Sequence, residues 1–467
     1  MSPDRPVSYP DVRGSLRERT RDAVADAELV GNLRASAGSW AAGRARMEEE
    51  HGFDAMRARA RAIRTDAVRR LPELLERLSA EVREAGGHVH FAADATAACD
   101  YVVDVARARD ARLVAKSKSM ATEEIKLNEA LEEAGLRVVE TDLGEWILQL
   151  AGQHPSHIIA PAVHLNRDQV ADLFSSETGG PVPREREALV ALARGRLREV
   201  FAAADIGISG VNFAVAETGT LCVVENEGNA RLVTALPPVH VAVMGMERVV
   251  AGWDDAAHLL EVLPMAAIGD DAASYVNLVT GPRRPGERDG PEELHVVIVD
   301  GGRSALRGTE FEEVLNCIRC GACLYSCPMW RSVGGQAYGS PYSGPIGAVL
   351  TPLLEGPGSP SDELPFLSSL CGACHEACPV GIPLHDLLVR VRARVRPPQR
   401  RRERAAFRLW SHLWRTRAGY AASRTLARTG LRILGRDGWV HRLPGPGAAW
   451  TSQRDLPSRW PPSSRHS

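Results

Sequence analysis

Short apolar runs alternate with longer segments of helical periodicity along the first part of the chain. Residues 66–86 repeat apolar positions every three or four residues and end at two glycines, which predicts a helix. Further helices are predicted over 94–109, 122–134, 166–174 and 185–204, and strands over 88–91, 112–116, 136–141 and 158–161. Because strands that alternate with helices form parallel sheets covered on both faces, this pattern predicts an α/β fold.

Closely spaced apolar runs replace the alternation after residue 205. They predict strands over 206–216, 220–225, 231–236 and 239–244, with glycines in the turns. A helix is predicted over 254–263, and a β-branched run predicts a last buried strand over 295–299. Residues 61–303 are therefore assigned to one α/β domain, and residues 1–60 to an N-terminal helical segment.

A small helical unit is predicted over residues 304–396. It has short helices over 309–315 and 384–395 and a Gly- and Pro-rich insertion over 334–358. Residues 397–467 form a basic tail, whose last part, 457–467, is expected to be disordered. A basic helix with aromatic residues, here Trp410 and Trp414, can lie on a membrane surface or bind an acidic partner subunit.

Composition and charge are those of an ordinary globular protein. Of the 467 residues, 44% are hydrophobic and 25% charged, and the net charge of -2 gives no case for nucleic-acid binding. No stretch approaches the roughly 20 apolar residues of a membrane-spanning helix. The polar start, residues 1–14, lacks the apolar core of an export signal, so a cytoplasmic location with reduced thiols is expected.

Seven of the nine cysteines lie in two sets with characteristic spacing. The first set, spaced C-x-x-C-x-x-C-x-x-x-C-P, comprises Cys317, Cys320, Cys323 and Cys327. The second set comprises Cys371, Cys374 and Cys378. This spacing is typical of [4Fe–4S] sites in which the last cysteine of a run binds the other cluster. Two [4Fe–4S] clusters are predicted: cluster one at Cys317, Cys320, Cys323 and Cys378, and cluster two at Cys327, Cys371 and Cys374.

Cluster two lacks a fourth thiolate, and the missing cysteine falls at Ser368. Its fourth iron ligand is left open between Ser368, His375, a partner protein and water, and a three-iron cluster is a further alternative. Paired C-x-x-C motifs also occur in zinc sites, but the third cysteine of the first run and the C-P endings favour iron–sulfur. Cys99 and Cys222 are predicted to be buried thiols.

Lysine occurs only at Lys116, Lys118 and Lys126, while arginine supplies the other positive charge. Lys116, Ser117 and Lys118 lie between a predicted strand and the N-terminus of a helix whose expected N-cap is Thr122. Free N–H groups at such a position favour an anion, so these three residues are a candidate site for a carboxylate or phosphate. An ordinary turn with solvated lysines is the alternative.

Other polar clusters give weaker signals. The acidic segments 217–220 and 225–229 bracket one predicted strand, and we expect them to cap turns rather than to act as acid and base. No Gly-x-Gly-x-x-Gly follows a strand, so a dinucleotide site is not predicted. No catalytic residue is assigned from the sequence.

Several of these segments together resemble one family. The segments 116–120, 207–220, 281–284 and 300–303 and both cysteine sets are similar to those of the iron–sulfur B component of the three-part L-lactate utilisation system. The resemblance implies a lactate-utilisation (LUD) domain, related in fold to sugar isomerases and coenzyme A transferases, followed by a ferredoxin-type module. It also implies electron transport during oxidation of L-lactate to pyruvate, two partner subunits, and a three-cysteine second set.

The sequence therefore predicts a cytoplasmic electron-transfer subunit that is not itself the catalyst of lactate oxidation. One alternative is an enzyme whose LUD domain acts on a hydroxy acid or a thioester. A second alternative is a regulatory module whose clusters sense oxidation.

Overall fold

A computed structural model describes residues 14–395, 401–451 and 454–459 of the chain. It divides into two compact units, one ending at Val395 and the other beginning at Arg396. Predictions for residues 1–13 and 460–467 lie outside the described residues.

Strands in the described part of the first unit build two sheets. In chain order they are β1 (His88–Ala92), β2 (Leu113–Lys116), β3 (Arg137–Glu140), β4 (Ile206–Gly210), β5 (Phe213–Val215), β6 (Thr220–Glu225), β7 (Val239–Gly245), β8 (Val249–Val250), β9 (Tyr275–Val279) and β10 (Glu293–Val299). The central sheet has the order β1-β10-β7-β4-β2-β3, and all its neighbouring strands are parallel. The second sheet has the order β8-β5-β6-β9.

Helices of the first unit surround the central sheet and continue into the cysteine-rich part. They are α1 (Leu16–Ala25), α2 (Ala27–Glu50), α3 (Phe53–Arg69), α4 (Leu71–Glu84), α5 (Ala95–Ala108), α6 (Met120–Glu124), α7 (Leu127–Glu133), α8 (Leu143–Ala151), α9 (Arg167–Thr178), α10 (Arg186–Ala203), α11 (Asn229–Ala235), α12 (Trp253–Ile268), α13 (Ala322–Tyr325), α14 (Trp330–Val333), α15 (Gly344–Glu355), α16 (Ala373–Glu376) and α17 (Leu384–Val395). Short 3₁₀ helices span Met246–Arg248, Ser304–Leu306, Glu312–Asn316, Gln336–Tyr338 and Pro360–Phe366.

Successive residues of β7 show that both faces of the central sheet are covered. Val241 and Val243 pack in a core with α5 and α7, whereas Ala242 and Met244 pack in a core with α4. This alternation follows from the two-residue period of a strand. The predicted α/β fold with a covered parallel sheet is confirmed.

The strand predicted over 206–216 is two strands, β4 and β5, which lie in different sheets, and two other predicted strands are wrong. Residues 231–236 lie in or beside helix α11, because the Glu225 carboxylate accepts the backbone N–H groups of Ala230 (2.6 Å) and Arg231 (3.0 Å) and stabilises the first turn of that helix. Residues 158–161 form bends and turns instead of a strand, and the N–H of Ser156 donates to the carbonyl of Pro161 at 2.9 Å, which closes this segment on itself.

Three helix predictions need correction. The helix expected over 122–134 is α6 and α7, separated at Lys126 (φ 55°), and its N-cap is Ser119 rather than Thr122. The helix expected over 66–86 is the end of α3 and α4, which begins with a proline in its first turn. The insertion over 334–358 contains the buried helix α15, and the helix expected over 309–315 is a 3₁₀ helix at Glu312–Asn316.

Strand β9 has no counterpart among the predictions. It pairs antiparallel with β6, and three of its five residues are exposed, so its apolar pattern is weak. Helix α17, by contrast, spans the predicted residues 384–395.

The second unit is a helical pair with a small two-stranded sheet. Its helices are α18 (Arg401–Trp414) and α19 (Arg417–Leu434), its strands are β11 (Trp439–Val440) and β12 (Leu456–Pro457), and a 3₁₀ helix spans Gly445–Ala449. Trp410 and Trp414 are exposed on α18. A search of the described residues finds no helix that combines the length and apolar character needed to cross a bilayer.

Candidate functional site

A cavity of about 460 Å³ lies at the carboxyl ends of the parallel strands in the first unit. Ser117 and Lys118 line it just after β2, Gly210 at the end of β4, and Met244 at the end of β7. The cysteine-rich part contributes Arg319 to the same wall. Open α/β sheets commonly bind ligands at these strand ends, so this cavity is the candidate ligand site.

Lys116 is held inside the domain by carboxylates. Its Nζ donates to Glu140 Oε1 (2.7 Å), Glu123 Oε1 (3.0 Å) and Thr122 Oγ1 (3.0 Å), and its side chain is 1% exposed. Burial opposes the ammonium charge, but these carboxylates outweigh that effect and raise the pKa of Lys116. Lys116 is therefore a structural cation, paired within the domain.

Lys118 and Ser117 lie in the cavity wall. The Lys118 ammonium donates to the carbonyl of Ile159, while burial lowers its pKa and the charges of Asp142, Glu145 and Glu227 oppose that shift. The Ser117 N–H donates to the Ile208 carbonyl at 2.8 Å, which continues the pairing of β2 with β4. Of the three candidate anion-binding residues, these two therefore line the cavity.

Residues 154–164, here called the bridging loop, connect the cavity to the cysteine-rich part. The Ser156 carbonyl accepts from Trp330 Nε1 (3.3 Å), and Ser156 Oγ accepts from the N–H of Gly335 (3.0 Å). The His157 ring is buried against Gly321 in the first cysteine set, and burial lowers its pKa to about 3, so it is neutral. The two residues just before the wrongly predicted strand therefore contact the cysteine-rich part.

The seven cysteines of the two sets influence one another, and their division between two clusters stays a prediction. Burial raises the pKa of Cys320, Cys323 and Cys378, and the charges of other cysteines proposed for cluster one add to that shift. Burial likewise raises the pKa of Cys327 and Cys374, and the charge of Cys371 adds to it. Cys323 also interacts with Cys374 across the groups. In the part of the chain that the structure describes, no three Cys, His or carboxylate side chains converge on a position for a single metal ion. A cubane core binds each thiolate at a separate iron.

The surroundings of these thiols fit a cationic inorganic core. Burial raises the pKa of Cys320 to about 12 and of Cys378 to about 11, so the sulfurs need a positive partner to be thiolates, and coordinated iron provides one. The N–H of Arg319 donates to Cys317 Sγ (3.4 Å), and that of Ile382 donates to Cys378 Sγ (3.3 Å). Such hydrogen bonds stabilise sulfur ligands and tune cluster potentials.

The three cysteines proposed for cluster two are less enclosed than the other four. Cys371 is exposed, whereas Cys327 and Cys374 are buried. Cys99 and Cys222, the remaining cysteines, are buried in the α/β domain as predicted. At Ser368, the position where the fourth cysteine is missing, the side-chain Oγ accepts the N–H of Leu370 at 3.1 Å.

Several arginines, most of them buried, lie near the cysteines proposed for cluster one, and the sequence did not single them out. Arg248 Nη1 donates to the Cys317 carbonyl at 3.3 Å, Arg64 Nε donates to the Asn316 carbonyl at 3.4 Å, and the N–H of Arg319 donates to Cys317 Sγ. Helices α2 and α3 add the buried Arg44 and the partly exposed Arg57, whose charges oppose the burial that raises the pKa of Cys320 and of Cys378, respectively. These positive charges would offset the negative charge of thiolates at Cys317, Cys320, Cys323 and Cys378.

The Glu247 carboxylate binds two arginines at the wall of the cavity. It pairs with Arg303 Nε (2.7 Å) and Arg319 Nη2 (3.2 Å). Burial opposes its charge, but the arginines outweigh that effect and lower the pKa of Glu247 to about 2. Arg303 also pairs with Glu124 at 2.6 Å. Arg303 lies in a segment that carried the family resemblance, but no local signal in the sequence marked Glu247.

Two family models match consecutive parts of this chain. Residues 75–299 match the LUD domain family, and residues 313–382 match the 4Fe-4S dicluster domain family. The second match supports iron–sulfur clusters over zinc. A crystal structure of a DUF162 family protein from Deinococcus radiodurans aligns with 49% of this chain and 98% of its own, at 13% identity and a TM-score of 0.28.

Curated relatives match nearly the whole chain. Lactate utilization protein B of Shouchella clausii is 44% identical over 467 residues, covering 97% of this chain and 94% of its own. Proteins of the same name from Bacillus licheniformis (45% identical, 95% and 94% covered) and Geobacillus kaustophilus (46%, 88% and 87%) agree. The chain therefore belongs to the lactate utilization protein B family, with a LUD domain followed by a 4Fe-4S dicluster domain.

Proposed function

We propose that the protein is the iron–sulfur electron-transfer subunit of a cytoplasmic complex that oxidises L-lactate to pyruvate. The observation that carries this proposal is the pair of cysteine sets, five of whose seven thiols are buried, joined to a LUD domain. The clusters, when bound, supply one-electron transfer. Oxidation of lactate releases two electrons, so two adjacent one-electron carriers suit the reaction.

The proposed ligands are Cys317, Cys320, Cys323 and Cys378 for cluster one, and Cys327, Cys371 and Cys374 for cluster two. Seven thiolates serve eight irons in this arrangement, and the remaining iron takes a ligand other than a cysteine of this chain. The exposed Cys371 makes cluster two the side that faces a partner, whereas the arginines and the cavity enclose cluster one.

Two further lactate-utilisation subunits are the proposed partners. The basic tail supports such an association, because Trp410 and Trp414 are exposed on a helix rich in arginine. Exposed aromatic residues and arginine are enriched at protein interfaces.

Anaerobic purification with the two candidate partners tests the proposal. Iron and acid-labile sulfide should approach eight of each per chain, about the content of two [4Fe–4S] clusters. Addition of L-lactate should then bleach the visible absorbance of the clusters. A complex with full iron content whose absorbance does not change with L-lactate would refute electron transfer from lactate.

A further inference from the structure

The two cysteine sets share a sequence pattern that is longer than the cysteines themselves. The first loop, residues 317–323, reads Cys-Ile-Arg-Cys-Gly-Ala-Cys, and the second loop, residues 368–374, reads Ser-Ser-Leu-Cys-Gly-Ala-Cys. Each loop is followed by three residues and a Cys-Pro pair, at 327–328 and at 378–379. Ser368 therefore has the position in the second loop that Cys317 has in the first.

The backbones of the two loops have the same uncommon conformation. The third residue of each loop has a positive φ, 60° at Arg319 and 56° at Leu370, which is rare for residues other than glycine. The fifth residue also has a positive φ, 76° at Gly321 and 86° at Gly372, and a short helix begins immediately after it in both loops. The second loop therefore repeats the fold of the first.

The Ser368 side chain makes the same hydrogen bond as the Cys317 side chain. The N–H of Leu370 donates to Ser368 Oγ at 3.1 Å. The N–H of Arg319 donates to Cys317 Sγ at 3.4 Å. Because donor and acceptor are two residues apart in both loops, the hydroxyl and the thiol point the same way relative to their backbones. A backbone N–H that donates to a ligand atom stabilises the anionic form of that atom.

Arginine side chains hold both loops at this first position. Arg248 Nη1 donates to the Cys317 carbonyl at 3.3 Å, and Arg392 Nη2 donates to the Ser368 carbonyl at 3.0 Å. Arg392 Nε also donates to the Pro365 carbonyl at 2.8 Å, so the segment before the second loop is fixed as well. The Ser368 hydroxyl is thus presented by a backbone that side chains hold in place.

The nearby His375 does not have the position of a ligand in this repeat. Its counterpart after the first loop is Leu324, a fully buried residue of the apolar core. His375 Nδ1 donates to the Ile382 carbonyl at 3.0 Å, and its ring contacts that of His385. The repeat therefore favours Ser368 over His375.

We propose that Ser368 Oγ is the fourth protein ligand of cluster two, beside Cys327, Cys371 and Cys374. The inference deepens the proposed function and rests on it, because it requires both clusters. The hydroxyl loses its proton to water when it binds iron, and no electron is transferred in that step. Seven thiolates and this alkoxide then provide one protein ligand for each iron of two four-iron clusters. Oxygen is a harder donor than sulfur and stabilises ferric iron, so serine should lower the potential of cluster two relative to cysteine.

The test compares Ser368→Ala, Ser368→Cys and Ser369→Ala in the anaerobically purified full chain. Ser369→Ala is the matched control, because Ser369 is exposed, adjoins Ser368 and corresponds to Ile318 of the first loop. Iron and acid-labile sulfide are measured first. Electron paramagnetic resonance of the oxidised protein then separates the cluster types, because an oxidised three-iron cluster gives a signal and an oxidised four-iron cluster is diamagnetic.

The wild type and Ser369→Ala should contain about eight irons per chain and give no signal when oxidised. Ser368→Ala should either lose about one iron and give the three-iron signal, or bind water at the freed iron. Electron–nuclear double resonance of the reduced protein in deuterium oxide detects that water through exchangeable protons that the wild type lacks. Ser368→Cys should keep the iron content and raise the potential of cluster two in a redox titration.

Ser368→Ala with the iron content, oxidised-state spectrum and exchangeable protons of the wild type would overturn the inference. A wild type that already gives the three-iron signal, or that has water on an iron of cluster two, would overturn it as well. Equal potentials in the wild type and in Ser368→Cys would show that this position does not reach the cluster. A wild type without iron and sulfide would instead refute the proposed function.

Discussion

Arg64 on α3 shows how one side chain can hold two parts of the first unit together. Its guanidinium donates to the carbonyls of Val249 (3.2 Å) and Leu315 (3.1 Å) and also to that of Glu247. Its side chain is fully buried, and burial with the charge of Arg248 lowers its pKa to about 10.

Arg64→Met should therefore lower the stability of the protein by about 2–4 kcal/mol, because it leaves buried carbonyls without a donor. Differential scanning calorimetry should show a melting temperature lower by several degrees. Arg69→Met is the control, because Arg69 lies on the same helix and is exposed. This substitution should change the melting temperature by less than about 1 °C. Equal melting temperatures for both variants would contradict this role of Arg64.

Glu227 should make the stability of the LUD domain depend on pH. Burial and the charge of Asp142 raise its pKa to about 7, while the Leu143 N–H and Lys118 oppose that shift and Glu225 adds to it. A carboxyl whose pKa is higher in the folded protein stabilises it below the ordinary pKa, and this contribution is lost as the pH rises through the folded pKa.

The melting temperature should therefore fall by a few degrees between pH 5 and pH 8, and Glu227→Gln should remove most of that fall. Glu177→Gln, at an exposed position, should leave the pH dependence unchanged. If the melting temperature of Glu227→Gln falls with pH as steeply as that of the wild type, groups other than Glu227 cause the pH dependence.

At the scale of elements, the bridging loop depends on a close backbone approach. A Cβ at Gly335 would overlap the carbonyl group of Ser156. Gly335→Ala should therefore separate the loop from the cysteine-rich part, with a loss of iron per chain and a melting temperature lower by several degrees.

Gly195→Ala is the matched control for this prediction. Gly195 lies inside α10 with open space at its Cβ position, so alanine there should stabilise the helix by roughly 0.5–1 kcal/mol. Iron content that is equal in both variants would show that the close approach at Gly335 is not required.

The elements with local signals were predictable from the sequence, and those set by distant contacts were not. β10 ends in a β-branched run over residues 296–299, and α17 has apolar residues at helical spacing, so both were predicted. α11 depends on the carboxylate of Glu225, and the bridging loop depends on partners about 170 residues away.

The same distinction applies to the site. Cysteine spacing marked both sets as iron–sulfur ligands, because two or three residues separate successive cysteines within each set, whereas their division between two clusters stays a prediction. The buried arginines come from α2, α3 and the segment after β7, so the sequence carries no local sign that they meet at cluster one.

At the scale of the whole chain, the tail is a separate compact unit. Removal of residues 397–467 should leave the core of the first unit intact, so the truncated protein should keep its iron and its melting temperature. It should also lose most of its affinity for the partner subunits, measured by co-purification under anaerobic conditions.

Liposome flotation separates this role of the tail from membrane binding. The full chain should not float with anionic vesicles, and neither should the truncated chain. Trp410→Ser with Trp414→Ser should weaken partner binding and leave the iron content unchanged. Flotation of the full chain that is lost on truncation would instead assign the tail to a lipid surface.

The scarcity of lysine has a practical consequence for labelling. Lys116 is enclosed by carboxylates, and the ammonium of Lys118 is bound to a carbonyl, whereas Lys126 stands between α6 and α7. Succinimidyl dyes applied to the native protein should therefore attach mainly at Lys126 and the terminal amine. A fluorophore at Lys126 would provide a fluorescence signal for following assembly with the partner subunits, without introducing a new cysteine.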